Sequence, residues 1–126
     1  MIYGIGHDIV ENRRIERLYN RYGETFIKKI LSSDEQLLIK TKVNKIKFIA
    51  KRFAAKEAFA KACGTGLRSP ISLTNISILN DNLGKPTINF SNHIQKLLCT
   101  KGIAKCHISL SDEEYISSAF VVLEKD

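Results

Sequence analysis

The segment from Lys45 to Cys63 constrains the fold more than any other part of this chain. Asn44 is placed to cap it and Gly64 to stop it, so it reads as one long helix. Phe48 and Phe59 lie opposite Glu57 on the wheel, which leaves the helix apolar around much of its circumference. Such a helix belongs at the centre of a domain. With about 100° per residue, Ile46, Ala50, Phe53 and Ala54 fall within roughly 60° of Glu57. Lys61 follows on that same side, one turn later. Glu57 is therefore expected inside an apolar stripe, where a carboxylate costs several kcal/mol unless a cation or a metal neutralises it.

Around that helix the remaining elements are short. Met1 to Ile9 alternates as a strand, with Tyr3, Ile5, His7 and Ile9 on one face and Gly4, Gly6 and Asp8 on the other. Glycines inside a strand mark close approach of a ligand or another backbone. Val10 to Tyr22 reads as a helix with Ile15 and Leu18 inward and Arg13, Arg14, Arg17 and Arg21 mostly outward, ended by Gly23. Helical pieces follow at Thr25 to Leu31 and at Asp34 to Thr41, the second capped by Ser32 or Ser33.

The second half is mainly strand. Leu73 to Leu79 and Pro86 to Phe90 form a hairpin across Asn80 to Gly84, and Asn92 to Lys101 forms a helix. Ala104 to Ser111 and Tyr115 to Leu123 form a second hairpin, with Cys106, Ile108 and Leu110 on one side and His107, Ser109 and Ser111 on the other. The expected fold is α+β, one domain over residues 1–126, with antiparallel hairpins packed around the long central helix.

Composition narrows the partners. The net charge is +7 and lopsided: 14 Lys/Arg against 7 Asp/Glu up to Cys63, then 6 against 6 from Gly64 onward. That excess attracts a polyanion, whether nucleic acid, a phosphorylated metabolite, an acidic protein or anionic lipid, unless it is simply a solvated surface. Three cysteines without C-x-x-C spacing argue against a disulfide framework or a structural zinc site and fit a reducing, cytoplasmic setting. No apolar run is long enough to cross a bilayer.

Each candidate for chemistry has two readings. Asp8 and Glu57 supply two hard oxygen donors of the kind Mg²⁺ takes together with substrate phosphates and waters. Alternatively, Asp8 caps the next helix and Glu57 pairs with Lys56 or Lys61. Lys61 either neutralises a phosphate or makes a surface pair. Gly64-Thr65-Gly66 follows a helix instead of preceding one, so it is not a P-loop; it closes the helix or lets backbone approach a phosphate. His107 is a lone histidine on a polar strand face. The arginines of the first helix form a basic face that docks an acidic protein or a nucleic-acid backbone, or faces solvent.

Four motifs in order then resemble one family. They are Gly4-Ile5-Gly6-His7-Asp8-Ile9-Val10-Glu11; Arg52-Phe53-Ala54-Ala55-Lys56-Glu57-Ala58 with Lys61-Ala62 and Gly64-Thr65-Gly66; Gly84-Lys85-Pro86; and His107-Ile108-Ser109-Leu110-Ser111. Together they span nearly the whole chain and resemble the holo-acyl-carrier-protein synthases, the small phosphopantetheinyl transferases. The resemblance implies transfer of 4′-phosphopantetheine from coenzyme A to a serine of acyl carrier protein, release of adenosine 3′,5′-bisphosphate, and a place in fatty acid biosynthesis. It implies Asp8 and Glu57 as Mg²⁺ ligands, and catalytic parts for Glu57, Lys61 and His107. Arg52, Gly64, Thr65, Gly66, Lys85 and Pro86 match regions that hold coenzyme A. Arg14, with Arg21 on the same helix, matches the face that meets the acidic carrier. Trimers with sites between subunits are also implied. Two positions depart: His7 stands where apolar residues are common, and Asp112 where many members have histidine, so Asp112 receives no catalytic role. The rival readings are a basic nucleic-acid-binding module, which explains the charge but not the acidic residue in the helix stripe, and an unrelated Mg²⁺-dependent phosphate-transfer enzyme.

Overall fold

The computed structural model describes all 126 residues. In chain order it contains β1 (Ile2–Glu11), α1 (Asn12–Tyr22), α2 (Glu24–Ile30), α3 (Ser33–Ile39), α4 (Lys45–Cys63), a 3-10 turn (Leu73–Asn75), β2 (Ile76–Asn80), β3 (Pro86–Phe90), α5 (Asn92–Thr100), β4 (Ile103–Asp112) and β5 (Ile116–Lys125). Two antiparallel sheets result, one in the order β1-β5-β4 and a hairpin of β2 and β3. The α+β architecture with its central helix is as expected. No helix is long and apolar enough to cross a membrane.

Helix α4 has the bounds its caps dictate. The Asn44 side chain accepts from the Lys47 amide at 3.0 Å. Gly64 takes the left-handed conformation at φ 79° and donates to the Lys61 carbonyl. The helix lies across the inner face of β1 and β5. Gly4 and Gly6 permit this contact: a Cβ at Gly4 would stand 2.1 Å from the Ala62 carbonyl oxygen, and one at Gly6 1.8 Å from that of Ala58. The glycine face of β1 therefore meets another backbone, which is one of the two causes such a pattern allows. The side chains opposite, Ile5, His7 and Ile9, are exposed.

Most element ends differ from expectation by one to three residues, and Leu73 to Asn75 form a 3-10 turn instead of the start of β2. Val10 is the last buried residue of β1 rather than the start of α1, and α1 begins at Asn12. A strand that pairs with β5 as far as Glu11↔Ile116 outcompetes helix propensity there. Helix α2 starts and ends a residue early, at Glu24 and Ile30, and α5 stops at Thr100. Asp8 is inside the strand and caps nothing.

The larger correction concerns burial. Glu57 is only half-buried, whereas Lys56 beside it is wholly buried. Because α4 is apolar nearly all round, the wheel could not say which sector faces the core. The sector of Phe48, Arg52, Lys56 and Phe59 is buried, and so is the side of Ala54, Ala58 and Ala62 against β1; the strip of Phe53, Glu57 and Lys61 is the one left partly open. Lys56 donates to Glu35 Oε1 at 2.5 Å and to the Ile30 carbonyl at 2.7 Å. Glu35 in turn accepts from the amides of Ser32 (2.9 Å) and Ile78 (2.8 Å), so one carboxylate ties α3, α4 and β2 together. Glu35 was missed by the sequence reading. Its signal is the capping box of Ser32 and Glu35, three residues apart.

Candidate active site

Asp8 and Glu57 converge where α4 crosses β1. Asp8 pairs with Ala119 of β5, which pairs with Leu110 of β4, so these three side chains share the helix-facing side of the sheet. Lys61 Nζ reaches Asp8 Oδ1 at 3.1 Å and the His7 carbonyl at 2.9 Å. Glu57 feels this cluster. Desolvation first, then the charge of Asp8, raises its carboxyl above the ordinary range, against the pull of Lys61 and Arg14. Two carboxylates that repel each other in a half-buried seam, on a strand and a helix that cannot drift apart, are a donor set suited to a hard divalent cation. Arg14, from α1, lies over the Phe53 ring of α4 at 5.8 Å and extends the cluster toward an exposed face. Arg21 lies two turns further along that helix, over Tyr22 at 5.2 Å.

Gly64, Thr65 and Gly66 turn the chain at the C-terminal end of α4, one turn beyond Lys61. The Gly64 and Gly66 amides already close the helix, donating to the Lys61 and Ala60 carbonyls at 3.0 and 3.3 Å. Thr65 Oγ1 donates to the Gly66 carbonyl at 2.9 Å.

The other expected site residues are not beside this cluster within the chain. Arg52 lines a separate cleft of about 610 Å³ with Lys42, Lys47, Lys51 and Pro86. Its guanidinium stacks on Phe48 at 3.8 Å and donates to the Ile78 carbonyl and to Asn80 Oδ1, both at 3.2 Å. Desolvation lowers the pKa of Arg52, and Glu35 opposes that fall. Lys85 sits in the β2–β3 turn, where its amide donates to Asp81 Oδ1. Sequence reasoning had not gathered Lys42, Lys47 and Lys51 into this cleft. Lys47 and Lys51 are four apart on one helix face, which was the available signal. His107 pairs with Val122 and so lies on the outer face of the sheet, away from Asp8, where Nε2 meets Glu124 Oε1 at 2.5 Å.

Asn12 was also missed. Buried at the start of α1, it donates to the Glu113 and Glu114 carbonyls at 3.0 and 3.2 Å and accepts from Ser117 Oγ at 2.7 Å. It thus ties the β4–β5 turn to the helix that bears Arg14.

Comparison with known proteins places this arrangement. Residues 4–119 match the model of the 4′-phosphopantetheinyl transferase superfamily. A holo-[acyl-carrier-protein] synthase of Nitrosospira multiformis is 48% identical over 125 residues, covering 99% of this chain and all of its own. The crystal structure of the Neisseria meningitidis holo-[acyl-carrier-protein] synthase superposes with a TM-score of 0.97 at 48% identity, over 99% of this chain and 100% of that one. The Bacillus anthracis synthase, solved in complex with CoA (3′,5′-ADP), gives 0.83 at 36% identity, over 100% of this chain and 99% of that one. The chain belongs to the 4′-phosphopantetheinyl transferase superfamily, and within it to the holo-acyl-carrier-protein synthases.

Proposed function

We propose that this enzyme transfers 4′-phosphopantetheine from coenzyme A to the serine of an apo-acyl carrier protein in a Mg²⁺-dependent reaction that releases adenosine 3′,5′-bisphosphate and serves fatty acid biosynthesis in the cytoplasm. The observation that carries this reading is the convergence of Asp8, Glu57 and Lys61 at the crossing of β1 and α4. Asp8 and Glu57 would hold the metal. When bound, Mg²⁺ supplies neutralisation of pyrophosphate charge, which is the main demand of a phosphoryl-type transfer.

The protein's own groups do the rest. The serine Oγ attacks the phosphorus that bears the pantetheine arm, and the bond from that phosphorus to the bridging oxygen breaks toward the bisphosphate. Glu57, directly or through a water it holds, accepts the serine proton. Lys61 turns from Asp8 toward the departing phosphate and stabilises its charge. Arg52, Lys85 and Pro86 beside the basic cleft, and Gly64, Thr65 and Gly66 at the helix end, bind coenzyme A. Arg14 and Arg21 dock the acidic carrier.

The cleft and the carboxylate cluster stand apart in one chain, and His107 faces away from both. A homotrimer reconciles them: His107 and the cleft of one subunit meet the carboxylates of the next. The outer face of the sheet supports that assembly, because Ile5, Ile9 and Phe120 are exposed there beside His7. The basic charge is thereby assigned to coenzyme A and carrier protein, not to nucleic acid.

Incubation with coenzyme A, Mg²⁺ and an apo-carrier tests the reading. The carrier serine gains the mass of one phosphopantetheine, and the gain is lost on chelation and restored by Mg²⁺. No mass gain with the metal present refutes the transfer. An unaltered rate in chelator refutes the metal. Sedimentation at the mass of a single chain refutes the trimer.

A further inference from the structure

The cleft that holds Arg52 contains its own anion. Lys42, Lys47, Lys51 and Arg52 line it, and so does Asp112. Asp112 is the last residue of β4 and pairs with Ser117 across the hairpin, so its backbone is fixed. Its carboxylate spans two lysines on consecutive turns of α4, with Oδ2 3.6 Å from Lys47 Nζ and Oδ1 3.5 Å from Lys51 Nζ. These separations are those of ion pairs, longer than charge-assisted hydrogen bonds, and all three side chains are partly exposed. Pairs of that kind are weak and exchange readily. Arg52 differs: its guanidinium is buried and committed to Ile78 and Asn80. Of the three lysines of the cleft, Asp112 neutralises the two on α4, Lys47 and Lys51, and leaves Lys42 to Phe48 and solvent.

We infer that Asp112 is an internal counter-ion of the coenzyme A cleft, a specificity-determining residue that an incoming phosphate must displace from Lys47 and Lys51. This rests on the reading that the cleft binds coenzyme A. The physical consequence is a tax on anion binding. A phosphate dianion outbids a single carboxylate for two ammonium groups, whereas a monoanion gains little by replacing another monoanion. Asp112 thus tunes the cleft against weakly charged ligands. It also weakens the hold on the anionic product, adenosine 3′,5′-bisphosphate, and returns to the lysines as that product leaves.

Two variants, in the whole enzyme, test this by steady-state kinetics and by calorimetric titration with adenosine 3′,5′-bisphosphate. Asp112→Asn keeps the shape and removes the charge. The KM for coenzyme A and the Kd for the bisphosphate should both fall, by about three- to tenfold at low salt, and the gain should shrink as salt rises. The KM for the carrier should stay put. Asp112→Glu keeps the charge and should restore values close to the original. Lys51→Ala should weaken both ligands and thereby report on the cleft itself. If Lys51→Ala weakens binding while Asp112→Asn leaves it unchanged or poorer, the counter-ion assignment is overturned and the cleft stands. If Lys51→Ala changes nothing, the cleft is not a coenzyme A site, and both fall.

Discussion

Lys56 and Lys61 stand on the same helix, and each closes an ion pair with a carboxylate from another element. Lys56 and Glu35 are both 0% exposed, whereas Lys61 is 55% exposed and Asp8 16%. The first pair has every remaining polar partner supplied by the chain: the Ile30 carbonyl for the ammonium, and the Ser32 and Ile78 amides for the carboxylate. The second is open to solvent, shares its field with Glu57, and leaves the lysine free to move. Burial with full hydrogen bonding makes an ion pair part of the scaffold; partial exposure with a surplus carboxylate leaves it open to a ligand, as the proposed function requires. Residues 56 and 57 are neighbours in sequence and fall on opposite sides of that divide.

The largest effect should come from breaking the sealed pair. Glu35→Gln leaves the Lys56 ammonium buried beside Arg52 without a counter-charge, and desolvation already lowers the pKa of Lys56 even with Glu35 present. The expected cost is about 3–5 kcal/mol, read as a fall in the urea midpoint with the slope unchanged. Replacing both partners by Leu and Met should recover only part of that loss, because the Ser32 and Ile78 amides and the Ile30 carbonyl then lose their partners. If the single variant unfolds at the midpoint of the parent, Glu35 is not holding α3, α4 and β2 together.

Next comes Glu57→Gln, which reverses the pattern. Transfer should drop by at least about 100-fold, equivalent to roughly 2.7 kcal/mol of transition-state stabilisation. Stability should not suffer. The sign follows from linkage: a carboxyl raised in the folded state adds stability only below its unfolded pKa, and that contribution is lost as pH rises through the folded value. Once ionised, Glu57 in the metal-free protein repels Asp8, and the amide relieves that repulsion. A thermal midpoint well below the parent at pH 7 would place Glu57 in the scaffold after all.

Lys61→Gln should separate the two bridges most directly. Its exposed pair with Asp8 contributes about 0–1 kcal/mol to folding. Its proposed action on the leaving phosphate predicts about a tenfold fall in kcat with the coenzyme A KM little changed. A stability loss approaching that of Glu35→Gln would erase the distinction between the pairs.

This divide also marks how far the sequence was legible. Caps and glycines are local signals, so Asn44 and Gly64 announced the ends of α4, and Gly4 and Gly6 announced a close approach to β1 without saying by what. That Glu57 and Lys61 share a helix face, and Asp8 the glycine face of β1, was readable too, because alternation along a strand and turns along a helix set which side chains lie together; that Lys61 would reach Asp8 was not, since it needs the packing of one element on the other. The sealed knot was not. An apolar helix with charges at positions 52, 56, 57 and 61 has no unique inward sector, and only distant partners, Glu35 for Lys56 and the Ile78 carbonyl with Asn80 for Arg52, decide that these two go in. His107 shows the same limit. Its strand face was read correctly, but which face of the sheet would carry the helix depends on pairing with β5, a contact across many residues.

The smallest expected effect lies at the rim of the open cluster. Arg14 stacks on Phe53 yet also draws down the carboxyl of Glu57, so it belongs to the site by charge and to the surface by position. Arg14→Glu should raise the KM for the carrier about fivefold at low ionic strength, with the coenzyme A KM little changed, because the proposed docking brings the carrier, not coenzyme A, to α1. Above a few hundred millimolar salt, where screening shortens to a few ångströms, parent and variant should converge. Arg14→Gln should give about half that effect on a logarithmic scale. A carrier KM unmoved by the reversal would remove Arg14 from the docking face and leave its cation to act on Glu57 alone, and in that case the loss should appear in kcat and persist at high salt.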